Sequence, residues 1–283
     1  MYKLIDGKEV SSAVREEIKK GVAELKEKGK ETGLAVIIVG NNPASRVYVN
    51  NKKKGCEQVG INSYEYALPE ETTTEELLSL VKELNADSKI DGILCQLPLP
   101  AQIDEKSVIN AISPEKDVDA FHPVNTGHIM IGDHSFLPCT PAGIMEMLKY
   151  YNISVEGKSC VVIGRSNIVG KPMAMLLLGQ NGTVTVCHSK TLELAKITSQ
   201  ADILVAAVGK AYFVTADMVK DGAVVIDVGM NRNSEGKLCG DVDFENVKDK
   251  CSYITPVPGG VGPMTITTLL KNTLTASQNN FSK

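Results

Sequence analysis

The sequence predicts an α/β protein of two domains, at least one of them built on a parallel sheet. The chain has 283 residues, which indicates two domains because single domains usually contain about 100–200 residues. Short runs rich in Val and Ile repeatedly end at glycine, and segments with helical spacing of apolar residues separate them. This alternation is typical of doubly wound sheets, in which helices cover both faces.

The first half of the chain contains three predicted strands with helices between them. Ser11 or Ser12 can cap the first helix, which begins at Ala13. The elements that follow are a strand at Gly33–Gly40, a helix at Arg46–Gly60, a strand at Ser63–Leu68, a helix at Thr73–Asn85 and a strand at Gly92–Leu97. This half is therefore predicted to form an α/β unit of its own.

Two residues of the second predicted helix could carry chemistry. Tyr48 and Lys52 are four residues apart and so share one helix face. A lysine that is desolvated beside a phenol has a lowered pKa and can transfer protons. An amphipathic surface helix would show the same spacing, and we expect the neighbouring Lys53 and Lys54 to be solvated.

Polar residues also stand where the third strand ends. Gln96 directly precedes Leu97-Pro98. Because proline stops a strand, the amide is expected at the carboxyl edge of the sheet, where ligands bind. Asp117 and Asp119 follow in a loop bounded by prolines. Such acids are usually solvated or act as caps, but one of them could hold a ring amidine or amine of a ligand.

The most informative segment runs from Val161 to Pro172. A β-branched run reaches Gly164, Ser166 and Gly170 follow, and an apolar helix then begins. Free backbone N–H groups and the helix dipole at such a turn attract phosphate, so the segment looks like the phosphate-binding turn of a dinucleotide site. Its sequence departs from the common dinucleotide-binding motif G-x-G-x-x-G. The alternative interpretation is an ordinary strand–turn–helix that binds no phosphate.

The residues after the next strand indicate which dinucleotide binds. An NAD site usually carries an acid about 20 residues after the first glycine, where it holds the ribose 2′-hydroxyl. Here the stretch contains Ser189 and Lys190 instead, and Arg165 stands in the turn itself. These residues suit a 2′-phosphate, so NADP is predicted over NAD. A plain exposed loop would account for Ser189 and Lys190 equally well.

Two further buried runs end at glycines that should lie near the cofactor. They place Gly209, Gly229 and Met230 at the carboxyl ends of parallel strands, where such sheets bind ligands. Asp227 lies within the second of these runs. It is either a functional acid or a structural hydrogen-bonding group.

The segment from Thr255 to Thr265 is rich in proline and glycine. Three residues of each type in eleven positions make a stiff backbone that a ligand can approach closely. A flexible linker would carry more serine and fewer apolar residues. We therefore predict a rigid binding loop, after which Thr265 caps a terminal helix at Ile266–Leu274.

Composition and charge argue against several classes of function. The net charge is −4 and there is no long basic block, which gives little support to nucleic-acid binding. No apolar run approaches the roughly 18 residues of a membrane helix, and the N-terminus has no signal-peptide core. The seven cysteines contain no C-x-x-C pair, which indicates reduced cytoplasmic thiols, and no metal site is expected.

Together these segments resemble the bifunctional methylenetetrahydrofolate dehydrogenase/methenyltetrahydrofolate cyclohydrolase family. The matching segments are Tyr48-x-x-x-Lys52, Gln96–Pro100, Pro114–Asp119, Pro138–Gly143, Gly164–Pro172 and Pro256–Thr265. They are spread over nearly the whole chain in the family's order. The combination is specific, although each segment alone is not.

The resemblance implies NADP-dependent oxidation of 5,10-methylenetetrahydrofolate to the 5,10-methenyl form and hydrolysis of that product to 10-formyltetrahydrofolate. It implies that Lys52 is the general acid/base of the hydrolysis, that Gln96 tunes it and that Tyr48 stacks near the folate. Asp119 would anchor the pterin. The other implied substrate-binding residues are Leu97, Pro98, Pro258, Gly259 and Gly260. The implied cofactor-binding residues are Gly164, Arg165, Ser166, Gly170, Ser189, Gly209, Gly229 and Met230.

The resemblance also implies the architecture and the partners. Two α/β domains should enclose a cleft, with residues 1–138 as the folate-binding catalytic domain and residues 139–261 as a Rossmann-like NADP-binding domain. The C-terminal segment 262–283 should return to the first domain as a helix. Family members are typically homodimers that pair through the cofactor domain, and neither a nucleic acid nor a membrane is expected as a partner.

Two departures from the family pattern bear on the hydrolysis. Ala120 stands where the family often has glycine, and its methyl group could displace Asp119. Gly55 lies within the Lys52 helix and could shorten or loosen it. The alternatives are a monofunctional NADP-linked methylenetetrahydrofolate dehydrogenase and a non-catalytic NADP- or folate-binding sensor. Retention of the polar site residues argues against both.

Overall fold

The computed structural model describes residues 2–282, which form two α/β units. The six-stranded unit contains the residues up to Ser12 and the range Thr140–Thr265. The three-stranded unit contains Ala13–Cys139 and the residues from Ile266 onward. The predicted class, an α/β protein with a Rossmann-like parallel sheet and a C-terminal helix that belongs largely to the first domain, is confirmed.

The secondary structure alternates between strands and helices along most of the chain. The strands are β1 (Lys3–Leu4), β2 (Gly33–Val39), β3 (Asn62–Leu68), β4 (Gly92–Cys95), β5 (Ser159–Ile163), β6 (Thr183–Cys187), β7 (Ile203–Ala206), β8 (Ala223–Asp227), β9 (Asn231–Arg232), β10 (Leu238–Cys239) and β11 (Cys251–Ile254). The helices are α1 (Gly7–Glu27), α2 (Pro43–Val59), α3 (Thr74–Ala86), α4 (Glu105–Ala111), α5 (Pro123–Ile131), α6 (Cys139–Tyr150), α7 (Gly170–Gly179), α8 (Leu194–Thr198), α9 (Phe244–Val247) and α10 (Val261–Phe281). Two short 3₁₀-helices lie at Ala216–Met218 and Lys248–Lys250.

Each unit is built on a parallel sheet. The smaller sheet has the order β3-β2-β4, and every residue of the central strand β2 is buried, as expected where both faces are covered. The larger sheet has the order β1-β11-β8-β7-β5-β6. Because parallel strands end at one edge of a sheet, the loops after β5, β6, β7 and β8 lie at the same carboxyl edge.

The start of the chain differs from the prediction in two ways. The prediction assigns the first residues to the folate-binding domain, but β1 pairs with β11 and so belongs to the six-stranded unit. The first helix begins at Gly7 and not at Ala13. The Asp6 carboxylate causes this earlier start, because it accepts hydrogen bonds from the N–H groups two and three residues further on.

Gly55 does not shorten the helix that carries Lys52, so this expectation is wrong. Helix α2 runs through Gly55 as far as Val59. A Cβ atom at position 55 would lie 3.2 Å from Ile266 Cγ2 and 3.3 Å from Leu270 Cδ1. The glycine therefore allows α2 and α10 to pack closely.

The terminal helix begins earlier than predicted. Helix α10 starts at Val261, so Thr265 lies inside it and does not cap it. The Thr265 hydroxyl instead lies 3.0 Å from the hydroxyl of Thr140. The turn that precedes the helix contains Gly259, whose φ of 108° favours glycine.

Candidate active site

Lys52 lies on the buried face of α2, which follows the carboxyl end of β2. The Asn42 side chain caps this helix by accepting hydrogen bonds from two N–H groups of the first turn. Lys52 has only 9% of its surface exposed, whereas Lys53 and Lys54 are exposed. Of the three successive lysines, the one with the tyrosine spacing is thus the one held away from water.

Gln96 follows β4 and contacts this lysine. Lys52 Nζ donates a hydrogen bond to Gln96 Oε1 at 2.8 Å. Gln96 Nε2 donates to the carbonyl oxygen of Leu97 at 2.7 Å, so the amide presents its oxygen to the lysine. The backbone N–H of Gln96 bonds the carbonyl of Ile37 at 2.9 Å, which fixes the residue at the edge of the sheet.

Asp119 shares the environment of Lys52. Burial lowers the pKa of Lys52, and the Asp119 carboxylate partly opposes that shift. Burial also raises the pKa of Asp119, and Lys52 opposes that shift in turn. Removal from water therefore biases both groups toward their neutral forms, while each favours the charged form of the other. We call Lys52, Gln96 and Asp119 the lysine cluster.

The loop of Asp119 is held by two residues that sequence reasoning missed. Cys139 Sγ donates to Asp119 Oδ1 at 3.5 Å. Asn272 of α10 donates through Nδ2 to the carbonyl of Val118 at 2.8 Å and to that of Leu137 at 2.9 Å. Cys139 lies in one of the family-like segments and could have been proposed. Nothing in the pattern of the terminal helix indicates that Asn272 reaches this loop.

The neighbours of Asp119 shape the same loop. Asp117 is buried and accepts hydrogen bonds from the His122 N–H and from Asn125 Nδ2, both at 2.8 Å, so it braces the loop. Ala120 is buried and has a φ of 58°, in the left-handed region that favours glycine. The alanine thus adopts a backbone conformation that glycine would reach without strain.

Three further predicted substrate residues also lie in the three-stranded unit. Tyr48 is half-buried one helical turn before the lysine, and burial raises the pKa of its phenol. Leu97 is half-buried and Pro98 is exposed, and a cis peptide bond joins them. The three-stranded unit thus holds the lysine cluster together with an aromatic ring and an apolar dipeptide.

The glycine turn after β5 depends on close approach of backbone to backbone. Gly164 has a φ of 133°, and a Cβ atom there would lie 2.3 Å from the carbonyl oxygen of Ala207. A Cβ atom at Gly170 would lie 2.3 Å from the carbonyl oxygen of Gly164. Neither position has room for a side chain. This close approach is what a dinucleotide-binding turn requires of its glycines.

Ser166 changes how the turn presents its N–H groups. Its Oγ accepts hydrogen bonds from the N–H groups of Val169 at 3.2 Å and Gly170 at 3.3 Å. The hydroxyl therefore bonds N–H groups of the turn that was predicted to bind phosphate. Arg165 and Ser166 are both exposed.

Strand pairing brings the predicted 2′-phosphate residues to neighbouring strand ends. Ile163, the last residue of β5, pairs with Cys187, the last residue of β6. The Gly164 N–H continues this pairing by donating to the Cys187 carbonyl at 2.9 Å. Arg165 follows one strand and Ser189 the other, and both are exposed at the carboxyl edge.

The loops after β7 and β8 carry the other predicted cofactor residues, Gly209, Gly229 and Met230. Asp227 ends β8 and is buried. Its carboxylate accepts hydrogen bonds from backbone N–H groups, including those of Gly229 and Asp241 at 2.9 Å each. Burial raises its pKa to about 6. Of the two roles left open for Asp227, the structure shows the hydrogen-bonding one.

The predicted folate loop, Pro258 to Gly260, lies in the six-stranded unit and not in the unit of the lysine cluster. The Gly7 N–H donates to the Gly259 carbonyl at 2.9 Å. A Cβ atom at Gly7 would lie 1.7 Å from the carbonyl oxygen of Gly260. The start of α1 therefore packs directly against this loop and fixes its conformation.

The described part of the chain has neither a cluster of metal ligands nor a helix suited to a membrane. Within residues 2–282, His, Cys, Asp and Glu form no group of three that could hold a metal ion. Over the same range, no helix combines the length and the apolar character that crossing a membrane requires. All seven cysteines are free and buried.

The two units define a class of protein. A parallel sheet with a glycine turn that excludes side chains is typical of dinucleotide-binding domains, and a buried lysine held by an amide is suited to proton transfer. The combination indicates a nicotinamide-dependent enzyme with an additional acid–base activity.

Comparison with family models identifies the protein further. Residues 5–119 match the catalytic domain, and residues 138–281 the NAD(P)-binding domain, of tetrahydrofolate dehydrogenase/cyclohydrolase. The chain belongs to this family, which confirms the predicted family and its two activities.

Individual relatives agree with this assignment. The bifunctional protein FolD of Agathobacter rectalis is 62% identical over 276 residues, which cover 98% of this chain and 99% of that protein. The crystal structure of the bifunctional FolD enzyme of Campylobacter jejuni is 52% identical, with a TM-score of 0.97 and 99% of both chains covered. The FolD enzyme of Trypanosoma brucei, solved with NADP and an inhibitor, is 39% identical, with a TM-score of 0.95 over 100% of this chain and 99% of that one.

Proposed function

We propose that the protein oxidises 5,10-methylenetetrahydrofolate with NADP and hydrolyses the 5,10-methenyl product to 10-formyltetrahydrofolate. Family membership supports both steps. The main structural support for the hydrolytic activity is the 2.8 Å hydrogen bond between Lys52 Nζ, in a buried side chain, and Gln96 Oε1. The intact lysine cluster favours this bifunctional enzyme over a monofunctional dehydrogenase or a sensor.

Hydrolysis requires a group that moves protons, and we assign that role to Lys52. Because burial lowers its pKa, a larger share of this lysine is neutral than of a lysine on the surface. The neutral amine takes a proton from the water that attacks the methenyl carbon. The ammonium that results returns a proton to the folate nitrogen that leaves. Gln96 accepts a hydrogen bond from the amine and keeps it oriented.

We assign substrate binding to the residues around the lysine. Asp119 can accept hydrogen bonds from N–H groups of the pterin ring, and its buried carboxylate is oriented by Cys139. Tyr48 offers a half-buried aromatic ring one turn from Lys52, suited to stacking. The remaining proposed substrate residues are Leu97, Pro98, Pro258, Gly259 and Gly260.

We assign the NADP site to the carboxyl edge of the six-stranded sheet. The residues present fit this group, because the turn at Gly164 and Gly170 leaves no room for side chains beside the backbone. When bound, NADP accepts the hydride from the methylene carbon of the folate. Arg165 and Ser189 supply a cation and a hydroxyl to a 2′-phosphate. The other proposed cofactor residues are Ser166, Gly209, Gly229 and Met230.

Replacing Arg165 by alanine should weaken the use of NADP more than that of NAD. The guanidinium has a phosphate partner only in NADP, and a lost hydrogen bond to a charged group corresponds to roughly a tenfold rise in the KM for NADP. The KM for NAD should change little. Steady-state kinetics with both dinucleotides measures this, with Lys196→Ala, an exposed lysine of α8 in the same unit, as the control. An equal rise in KM for both dinucleotides would show that Arg165 does not bind the 2′-phosphate.

A coupled absorbance assay tests the proposed function itself. With 5,10-methylenetetrahydrofolate and NADP, the proposed enzyme forms NADPH, and the methenyl absorbance appears only transiently. A monofunctional dehydrogenase would form NADPH while the methenyl absorbance persists. A sensor would bind NADP without any absorbance change. Either of these last two results would overturn the proposal of a bifunctional enzyme.

We propose a homodimer that forms through the six-stranded unit. Strand β6 stands at the end of the sheet order, so one of its edges has no neighbour among the strands that the structure describes. Large apolar side chains are exposed on and near it: Leu178 at 55%, Val186 at 38% and Leu192 at 85%. Exposed edge strands with apolar residues readily pair with another chain. A second copy of this chain is the proposed partner.

Replacing Val186 by lysine should convert this dimer to a monomer. A charge at the centre of the proposed interface would lose its water on pairing, and proteins use lysine at edge strands to prevent such pairing. Light scattering coupled to size exclusion should show the mass falling by about half. The control is Val124→Lys, an exposed valine of α5 in the other unit. A dimer that persists in Val186→Lys would place the interface elsewhere.

We further propose that the protein acts in the cytoplasm. Its seven cysteines are free in the structure, as expected in a reducing compartment. There its product would supply one-carbon units to purine, methionine and histidine biosynthesis.

A further inference from the structure

The carboxylate of Asp241 lies among four N–H donors at the carboxyl edge of the six-stranded sheet. Its Oδ2 accepts from the backbone N–H groups of Val208 at 2.6 Å and Gly209 at 3.0 Å. Its Oδ1 accepts from the backbone N–H of Lys210 at 2.9 Å and from Asn231 Nδ2 at 2.9 Å. Successive N–H groups that converge in this way form a nest for an anion. Here the chain's own carboxylate fills the nest.

Three of these donors belong to the loop that follows β7, and the fourth belongs to Asn231, the first residue of β9, directly after the loop that follows β8. Both loops belong to the proposed NADP site, through Gly209 in the first and Met230, next to Asn231, in the second. The segment of Asp241 is itself tied to the sheet, because its backbone N–H donates to Asp227 Oδ1 at 2.9 Å. Asp241 therefore joins both loops to the end of β8.

The backbone around this junction is closely packed. A Cβ atom at Gly229 would lie 2.3 Å from the backbone nitrogen of Asp241. A Cβ atom at Gly240 would lie 1.8 Å from Asp227 Oδ2. Asp241 has none of its surface exposed, so it does not contact a ligand itself. Its effect on a ligand must pass through the loops that it holds.

We propose that Asp241 is a positioning residue for NADP, which fixes the backbone of the loops after β7 and β8. Without this acceptor, three successive backbone N–H groups would lose their partner in a partly buried site, and the first loop would have to change conformation to find others. The proposal rests on the proposed function, because it assumes that these loops bind NADP. Asp241 was not among the residues predicted from the sequence.

The test is the substitution Asp241→Asn. The asparagine amide has nearly the same size, but whichever way it is oriented its NH₂ group faces two N–H donors. We expect the dissociation constant of NADPH, measured by its fluorescence, and the KM for NADP to rise at least roughly tenfold. The kcat and KM for hydrolysis of the methenyl compound should stay the same, because the lysine cluster lies in the other unit. A merely structural role would lower both activities by the same factor.

Two further variants complete the experiment. Asp243→Asn is the matched control, since Asp243 is two residues away and bonds Asn246 Nδ2 at 2.7 Å; NADPH affinity should not change. Asn231→Ala removes a single donor to Asp241 and should weaken NADPH binding by a smaller factor than Asp241→Asn does. If Asp241→Asn does not fold, Asn231→Ala provides the test of the positioning role. If Asp241→Asn folds, unchanged NADPH affinity in that variant would overturn the proposal. If it does not fold, unchanged NADPH affinity in Asn231→Ala would do so. Wild-type protein that binds NADPH but oxidises no folate would overturn the proposed function alone.

Discussion

Replacing Lys52 by methionine should abolish hydrolysis of 5,10-methenyltetrahydrofolate while NADP binding stays unchanged. Methionine keeps an apolar stem in the buried space of α2 but has no group that can take or return a proton. General acid–base catalysis contributes about 10²–10⁴-fold to a rate, and we expect the kcat of hydrolysis to fall by about this factor. The decay of the methenyl absorbance measures the rate, and NADPH fluorescence measures the cofactor affinity.

The adjacent lysine provides the matched control. Lys53 is exposed on the same helix, so Lys53→Met makes the same chemical change outside the site. Its hydrolysis rate should equal that of the wild type. Hydrolysis that survives in Lys52→Met, or that falls equally in both variants, would remove Lys52 from its assigned role.

The same lysine should set the pH dependence of hydrolysis. In the proposed role the neutral amine is the active base, so kcat should rise with pH and level off above the pKa of Lys52. Burial lowers this pKa from its ordinary value of 10.5, so the plateau should begin at a lower pH than an exposed lysine would give. A pH–rate profile of kcat measures the midpoint. A rise centred at or above 10.5 would show that the lysine is not desolvated in solution.

Adding a single methyl group at Gly170 should remove NADP binding while hydrolysis continues. The new Cβ atom would lie 2.3 Å from the Gly164 carbonyl oxygen and 2.8 Å from the Arg165 nitrogen. Both are backbone atoms, so the clash can be relieved only if the turn opens. A misplacement of about 1 Å can lower a catalytic rate roughly 100-fold, and we expect Gly170→Ala to lose a similar factor in NADPH affinity.

A second glycine of the same helix provides the control, because replacing it by alanine makes the same chemical change without a clash. Gly179 ends α7, and a Cβ atom there would meet no atom within 4 Å. Gly179→Ala should bind NADPH as the wild type does and gain about 0.4–1 kcal/mol in free energy of unfolding, because alanine restricts the unfolded chain. Equal losses of affinity in the two variants would show that the close approach at Gly170 is unimportant.

Patterns of local sequence were sufficient for most of the architecture. Runs of Val and Ile that end at glycine predicted β2, β5, β7 and β8, because buried parallel strands require such residues on both faces. The four-residue spacing of Tyr48 and Lys52 singled out the lysine that lies on the buried face of its helix. Gln96 was placed at its strand end because the prolines after it cannot continue the strand.

Contacts between distant parts of the chain could not be predicted in this way. Asp241 and Asn272 form hydrogen bonds with groups in loops far from them in sequence. The spacing of apolar residues along the chain gives no information about such long-range bonds. Gly55 was expected to weaken its helix on propensity alone, but tertiary packing against α10 decides its role. The pairing of β1 could not be predicted, because this strand is short and its partner strand β11 comes nearly at the other end of the chain.

Neither unit is a single stretch of chain, and this has a consequence for biosynthesis. Strand β1 is synthesised long before its partner β11 and must wait for that strand before it can pair. The carbonyl group of Val118, beside Asp119, must likewise wait for Asn272, which follows it by 154 residues. Many proteins complete their N-terminal domain while translation continues. The Asn272 bonds can form only after α10 has been synthesised, so a stalled nascent chain that ends before α10 would lack this support of the Asp119 loop.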